Sequence, residues 1–256
     1  MMLEKLMNLP NPVELFMDPA SLIVVGIFFL ILLLEAVFPA RPLPKVRFWK
    51  SKGLFSFVIY FYLSSYLPLI WNHSLTQFQL LDLTFLGDLG GAAVALLTYQ
   101  LGVYLWHRAM HQFQPLWRTF HQLHHSAERF DSYGAFFFSP MDMIGFTFLT
   151  SLAWVVLGGF TVQATIYALY GATFLAVIQH ANIRTPLWMG YLFQRPESHS
   201  LHHARGIHAH NYSDLPVFDI LFRTFQNPRE FSEKTGFYDG ASSRIGDMIL
   251  FRDINS

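Results

Sequence analysis

Four long apolar runs organise this chain. Residues 20–38 are apolar apart from Glu35 near the end, and Pro39 closes the run; 54–71 and 87–106 are comparable. A bilayer crossing takes about 20 residues, and the fourth run, 144–179, is about twice that length. Gly158-Gly159 divides it, which predicts a tight helical hairpin. The pattern predicts an all-α fold: a polytopic membrane helical bundle of four to five spans or span-like helices. One integral-membrane domain covers 1–256, and the more polar stretches 107–142 and 180–256 form a helical cap at one membrane face. Trp71 and Trp106 fall at predicted span ends, where indole rings prefer the water boundary. Between them, Leu75, Phe78, Leu81 and Phe85 are spaced as in an amphipathic helix lying in the interface, with a plain packed loop as the alternative. The first forty residues do not read as a secretory signal, because the n-region is weakly positive and no small-x-small site precedes Pro39.

Charge orients the bundle. Only 13% of the 256 residues are charged, against about 25% in soluble domains, and Lys+Arg balances Asp+Glu at 17 each. No net charge draws the chain to nucleic acid. With alternating spans, sixteen of the seventeen Lys and Arg residues face one side, leaving Lys5 on the other. The positive-inside rule makes the rich side cytoplasmic, in a bacterial inner membrane or an endoplasmic reticulum. Two passes through the hairpin return the chain to the side it left, so 107–125 and 180–210 can meet there. Zero cysteines exclude disulfides, thiolate zinc, Cys-ligated iron–sulfur clusters and thiolate haem.

Histidine is the one abundant ionisable type, with 12 copies. His107-x-x-x-His111 places two rings at i and i+4, on one helical face. His121-Gln-Leu-His124-His125 and His199-Ser-Leu-His202-His203 repeat the pattern H-x-x-H-H, whose rings are expected to converge on a single face. His180 ends the hairpin, and His208 and His210 follow the third cluster. A lone histidine is ordinarily a core or surface residue, whereas three such motifs within about 100 residues point to metal. Catalytic zinc takes three protein ligands and structural zinc four, so this many imidazoles suits two ions. Imidazole serves iron, copper, nickel and zinc alike, and the absence of H-E-x-x-H weakens a zinc-protease reading. Each ligating ring needs a partner for its second nitrogen; Asp131, Glu197, Asn182, Asn211, Asp214 and Asp219 are the candidates, each with an ordinary cap or surface role as its alternative. His73, on the opposite side, is expected to bind nothing. A metal transporter or zinc-binding membrane scaffold is the rival reading, but transporters carry ionisable residues along a mid-membrane path, and here the mid-span regions are nearly free of them.

The motif order, together with Leu116-Trp-Arg-Thr-Phe-His-Gln-Leu-His-His-Ser126, Asn211-Tyr212 and Phe218-Asp-Ile-Leu-Phe222, resembles the fatty acid hydroxylase/sterol desaturase superfamily of integral-membrane di-iron oxygenases over about residues 90–230. The resemblance implies that His107, His111, His121, His124, His125, His180, His199, His202 and His203 are metal ligands at the catalytic centre. His208 is favoured over His210 as a further ligand. One departure stands out: relatives often read His-Pro-x-Glu or His-Pro-x-Asp before the hairpin, and this chain reads Ser139-Pro140-Met141-Asp142. The implied cofactors are two iron ions, with O2 as co-substrate and zinc as a non-native replacement. The implied reaction is hydroxylation of an unactivated C–H bond of a membrane lipid, fatty acyl, sterol or related. A sterol or fatty-acyl desaturase using the same ligands is the alternative. Tyr133, Phe136, Phe137 and Phe138 are candidates to line the cleft mouth, with interfacial anchoring or helix packing as the other reading. The chain lacks the His-Pro-Gly-Gly text of a fused cytochrome b5. Its Gly87-Asp88-Leu89-Gly90-Gly91 run follows no strand, so it reads as small residues easing helix packing. Electrons are therefore expected from a separate cytochrome b5, ferredoxin or flavoprotein reductase.

Overall fold

The computed structural model describes residues 9–255, a chain 65% helical with almost no strand; Lys5 lies outside the described residues. Asn11 caps the short α1 (Pro12–Met17) in a reciprocal capping box with Glu14. Asp18 caps α2 (Pro19–Val37), which opens on Pro19, where a missing N–H costs nothing. Then follow α3 (Trp49–Leu75) and α4 (Gly87–Gln112). A π turn, Trp117–His121, leads into α5 (Gln122–His125). The hairpin consists of α6 (Pro140–Ser151), prolonged by a π turn over Leu152–Leu157, and α7 (Val162–Ile178). Short helices α8 (Pro196–His202), α9 (Pro216–Leu221) and α10 (Ile245–Ile249) complete the fold.

Four helical stretches are long and apolar enough to cross a membrane: Pro19–Val37, Trp49–Phe78, Thr84–Gln112 and Pro140–Leu157; Val162–Ile178 is apolar but shorter. The outward faces are apolar too. Phe29, Leu30 and Leu33 of α2 are all at least half exposed, a surface suited to acyl chains rather than water. The helices close against one another through small residues and aromatics. A Cβ built on Gly91 of α4 would lie 3.0 Å from Ala164 Cβ of α7, so the glycine run eases packing as expected. Phe28 of α2 stacks on Phe57 of α3 at 4.0 Å between centroids, and Phe136 joins them. Burying such a ring contributes roughly 2–3 kcal/mol.

Two expectations need correction. Residues 72–86 do not form an amphipathic helix. α3 runs on to Leu75, and a short strand, β1 (Leu81–Asp82), pairs in parallel with β2 (Gly158–Gly159) in the hairpin turn. The Asp82 carboxylate accepts from Thr84 N and Oγ1 at 3.0 and 2.7 Å, and such local bonding competes with helix. α4 carries the helix past Trp106 through Gln112, as the spacing of His107 and His111 predicts, and Trp106 packs edge-on against Phe120. Trp71 bonds Ser151 Oγ at 2.8 Å. The other correction belongs to the histidine boxes, below.

Candidate metal centre

Four chain segments bring the histidines together. The extension of α4 carries His107 and His111 one turn apart. The π turn and α5 carry His121, His124 and His125, His180 follows α7, and His199 and His202 lie on α8 with His203 at its end. The nine rings sort into two groups. One ligand nitrogen from each of His107, His111, His121, His125 and His202 lies within 4.8 Å of the others, and His124, His180, His199 and His203 do the same. The groups abut, with the His125 and His203 rings stacked at 4.1 Å. The boxes therefore do not converge on one face. In each H-x-x-H-H motif the i and i+4 rings join one group and the i+3 ring the other, because i+3 and i+4 stand about 100° apart around a helix.

Hydrogen bonds fix which nitrogen faces inward. His107 Nδ1 donates to Tyr212 O at 2.7 Å, His202 Nδ1 to His210 O at 2.7 Å, and His180 Nδ1 to Ala176 O at 2.8 Å. His121 Nδ1 donates to Asp142 Oδ2 at 2.7 Å. A neutral ring that donates from Nδ1 holds a bare lone pair at Nε2. Yet His107 Nε2 lies 2.9 Å from His121 Nε2 and 3.0 Å from His202 Nε2, and His180 Nε2 lies 3.1 and 3.2 Å from those of His124 and His199. Among the described residues, the buried Nε2 atoms of His111, His125 and His203 have no partner. The lone pairs of His107, His121 and His202 so placed repel unless a cation stands among them, so the donor set fits metal ions. Protons do not fill that role. Burial first, and neighbouring imidazoles second, hold His121, His124, His125, His199, His202 and His203 well below the ordinary 6.5. Burial brings His180 and His208 down to about 4.

The remaining candidates are placed as follows. His208 stands beside the first group, its Nδ1 3.1 Å from His125 Nδ1, but is not among the converging atoms. His210 offers its carbonyl to His202, and His73 is exposed near the end of α3. None of the six suggested second partners bonds a ligand ring. They build the frame one bond further out. Asp131 accepts from Trp49 Nε1 at 2.7 Å, and Glu197 holds Thr185 and Arg195. Asn182 Nδ2 donates to Arg41 O, and Asn211 Nδ2 to Ser198 O and Gln226 O. Asp214 is held by two glutamines. Asp219 accepts from Tyr212 N, Ser213 N and Thr224 Oγ1, and so fixes the loop that turns the Tyr212 carbonyl toward His107. That loop is tightly bent, with His208, His210 and Asn211 all at positive φ. Asp142, the partner that sequence reasoning missed, is the third residue of α6, and its backbone N–H donates to the capping Ser139 Oγ. The Ser-Pro-x-Asp text was its only signal.

Phe136, Phe138 and Phe146 roof a cavity of about 60 Å³ that is also lined by His107, His121, His124, His180 and His199. Phe137 instead packs edge-on against Trp49, and the Tyr133 ring lies under Lys50. Tyr60, Tyr99, Phe136, Ala176 and Asp214 are shared between this cavity and a larger one of about 220 Å³ among α2, α3, α4, α6 and α7.

Comparison with known proteins agrees with this geometry. Ornithine lipid hydroxylase OlsE of Rhizobium tropici is 31% identical over 143 residues, which is 53% of this chain and 41% of that protein. The chain thus spans about two fifths of that relative's length. No solved structure matches. The sequence model of the fatty acid hydroxylase family matches residues 92–224, a segment that takes in all nine converging histidines and Asp142. The chain is a membrane protein that belongs to the fatty acid hydroxylase family.

Proposed function

We propose that this protein is an O2-dependent di-iron lipid hydroxylase with its active site on the cytoplasmic side. The observation that carries the reading is the pair of abutting groups of five and four inward nitrogens beside a cavity that continues among the apolar helices. His107, His111, His121, His125 and His202 would hold one iron, and His124, His180, His199 and His203 the other. Bound there, iron supplies the O2 chemistry: one oxygen atom enters a C–H bond as an alcohol, and the other leaves as water with two electrons and two protons.

The protein's residues do the rest. The Tyr212, His210 and Ala176 carbonyls and the Asp142 carboxylate hold four Nδ1 protons away from the centre, which keeps those four Nε2 atoms basic and aimed. The phenylalanine roof keeps bulk water from the reacting carbon, and the larger cavity positions the lipid. Electrons come from a separate cytoplasmic cytochrome b5, ferredoxin or flavoprotein reductase. OlsE is named for ornithine lipid, so a lipid with an amino-acid head group is the first substrate to test.

The test is product analysis by mass spectrometry with His124→Ala and His202→Ala, one ligand from each group. Both variants are expected to lose oxygen-dependent turnover, and unchanged turnover in both overturns the reading. A product gaining one oxygen marks hydroxylation; one losing two hydrogens marks desaturation instead. Metal analysis of anaerobically purified protein, with Mössbauer spectroscopy, is expected to show a coupled iron pair.

A further inference from the structure

The larger cavity is rich in hydrogen-bond acceptors, an unexpected lining at membrane depth. Four hydroxyls on its wall send their protons back to their own helices: Ser64 and Ser65 to Phe61 O at 3.1 and 2.7 Å, Thr147 to Met143 O at 2.7 Å, and Thr150 to Phe146 O at 3.0 Å. Such back-bonding satisfies each O–H; the Tyr60 and Tyr99 hydroxyls on the same wall bond Thr147 and Thr150 in turn, which leaves unused oxygen lone pairs on Ser64 and Ser65. At the junction with the histidine-lined cavity sits Asp214, which borders both spaces. Gln100 Nε2 and Gln179 Nε2 donate to its two oxygens at 2.8 and 2.7 Å. Gln100 Oε1 in turn accepts from Asp214 N at 3.0 Å. Among the described residues its side-chain donors are carboxamides, with no cation. Asp214 is packed deep among the helices yet keeps part of its surface open to the cavity. Each carboxylate oxygen accepts more than one hydrogen bond, so Asp214 has acceptor capacity left and a space in front of it. A plain hydrocarbon leaves the open side of the Asp214 carboxylate unanswered, and a buried charge is costly unless it is hydrogen-bonded.

We infer that the lipid carries an N–H or O–H donor a short distance from the carbon oxidised, and that Asp214 receives it at the cavity junction. This rests on the lipid-hydroxylase reading and narrows its substrate to lipids bearing an amide, amine or hydroxyl close to the reacting position. Asp214 is a specificity-determining residue. It selects the lipid and sets how far the chain advances toward the histidines.

The test uses two probes that differ in one group: N-hexadecanoylglycine, and the ester of the same length with oxygen in place of N–H. Binding to full-length, metal-loaded protein in nanodiscs is read by thermal shift and titration, and turnover is read separately. Wild type is expected to bind the amide about tenfold more tightly than the ester, roughly the effect of one buried hydrogen bond. Asp214→Leu is expected to erase that preference while ester affinity stays unchanged. Ser65→Ala, a mild change on the same wall, guards against a misfolded Asp214 variant and is expected to reduce the preference about twofold; an unchanged preference there counts against the inference. Equal binding of both probes by wild type, or a preference that survives in Asp214→Leu, overturns this inference and leaves lipid hydroxylation standing. Binding of neither probe, with no lipid product, overturns both.

Discussion

Asp142 Oδ2 accepts a hydrogen bond from His121 Nδ1–H, and so one carboxylate orients a ring in the larger nitrogen group. Its Oδ1 is buried and without a partner among the described residues. Asp142→Ala is expected to weaken metal binding about 10–100-fold, read by metal titration of the apoprotein, while Asp142→Asn, whose amide oxygen still accepts, retains most of it. Acid acts on the same residues. His180 and His208 fall from an ordinary 6.5 to about 4 through burial. The unfolded chain therefore binds more protons than the folded one between those values, and stability decreases as pH falls through that window. The contribution is fully present above pH 6.5 and lost by about pH 4, so melting temperatures of the apoprotein are expected to drop steadily across it. The nine converging histidines were legible because spacing reports which rings can meet. The Tyr212, Ala176 and His210 carbonyls were not, since every residue carries a carbonyl and only the tertiary path aims one.

Among the elements, the contact of α3 with the segment after α5 has the least slack. A Cβ on Gly53 would lie 2.2 Å from Tyr133 O, a backbone atom that cannot swing aside. Gly53→Ala is expected to push α3 off the segment carrying Phe136 and Phe138, lowering thermal stability by about 2 kcal/mol or more and reducing iron retention, as differential scanning fluorimetry and metal analysis would show. Glu35 ties the other side. Its Oε2 accepts from Ser132 N, Ser132 Oγ and Asn182 N at 2.8, 2.6 and 3.1 Å, linking the end of α2 to segments next to two histidine-bearing stretches. The apolar runs made the spans readable, and Gly158-Gly159 located the turn. The pairing of β1 with β2 stayed hidden because two residues on each side give no periodicity, and the partner lies far along the sequence. The i, i+4 spacing of His107 and His111 made the continuation of α4 beyond its apolar run readable, although both rings are buried or half-buried in the fold.

For the whole molecule, the absence of cysteine makes topology measurable. In intact cells a membrane-impermeant maleimide is expected to label Phe85→Cys, in the exposed 72–86 connection, and to reach Ser243→Cys, on the histidine side, only after permeabilisation. The reverse pattern would contradict a cytoplasmic site. The way the two H-x-x-H-H boxes divide between the nitrogen groups has its own consequence. Each box contributes to both sets, so a first ion bound there would draw the π turn, α5 and α8 into register and leave the second set assembled. The ordering entropy would fall mainly on the first capture. Ferrous titration of the apoprotein should therefore be cooperative, rising sigmoidally with little singly loaded species, and losing one ion should loosen the hold on its neighbour.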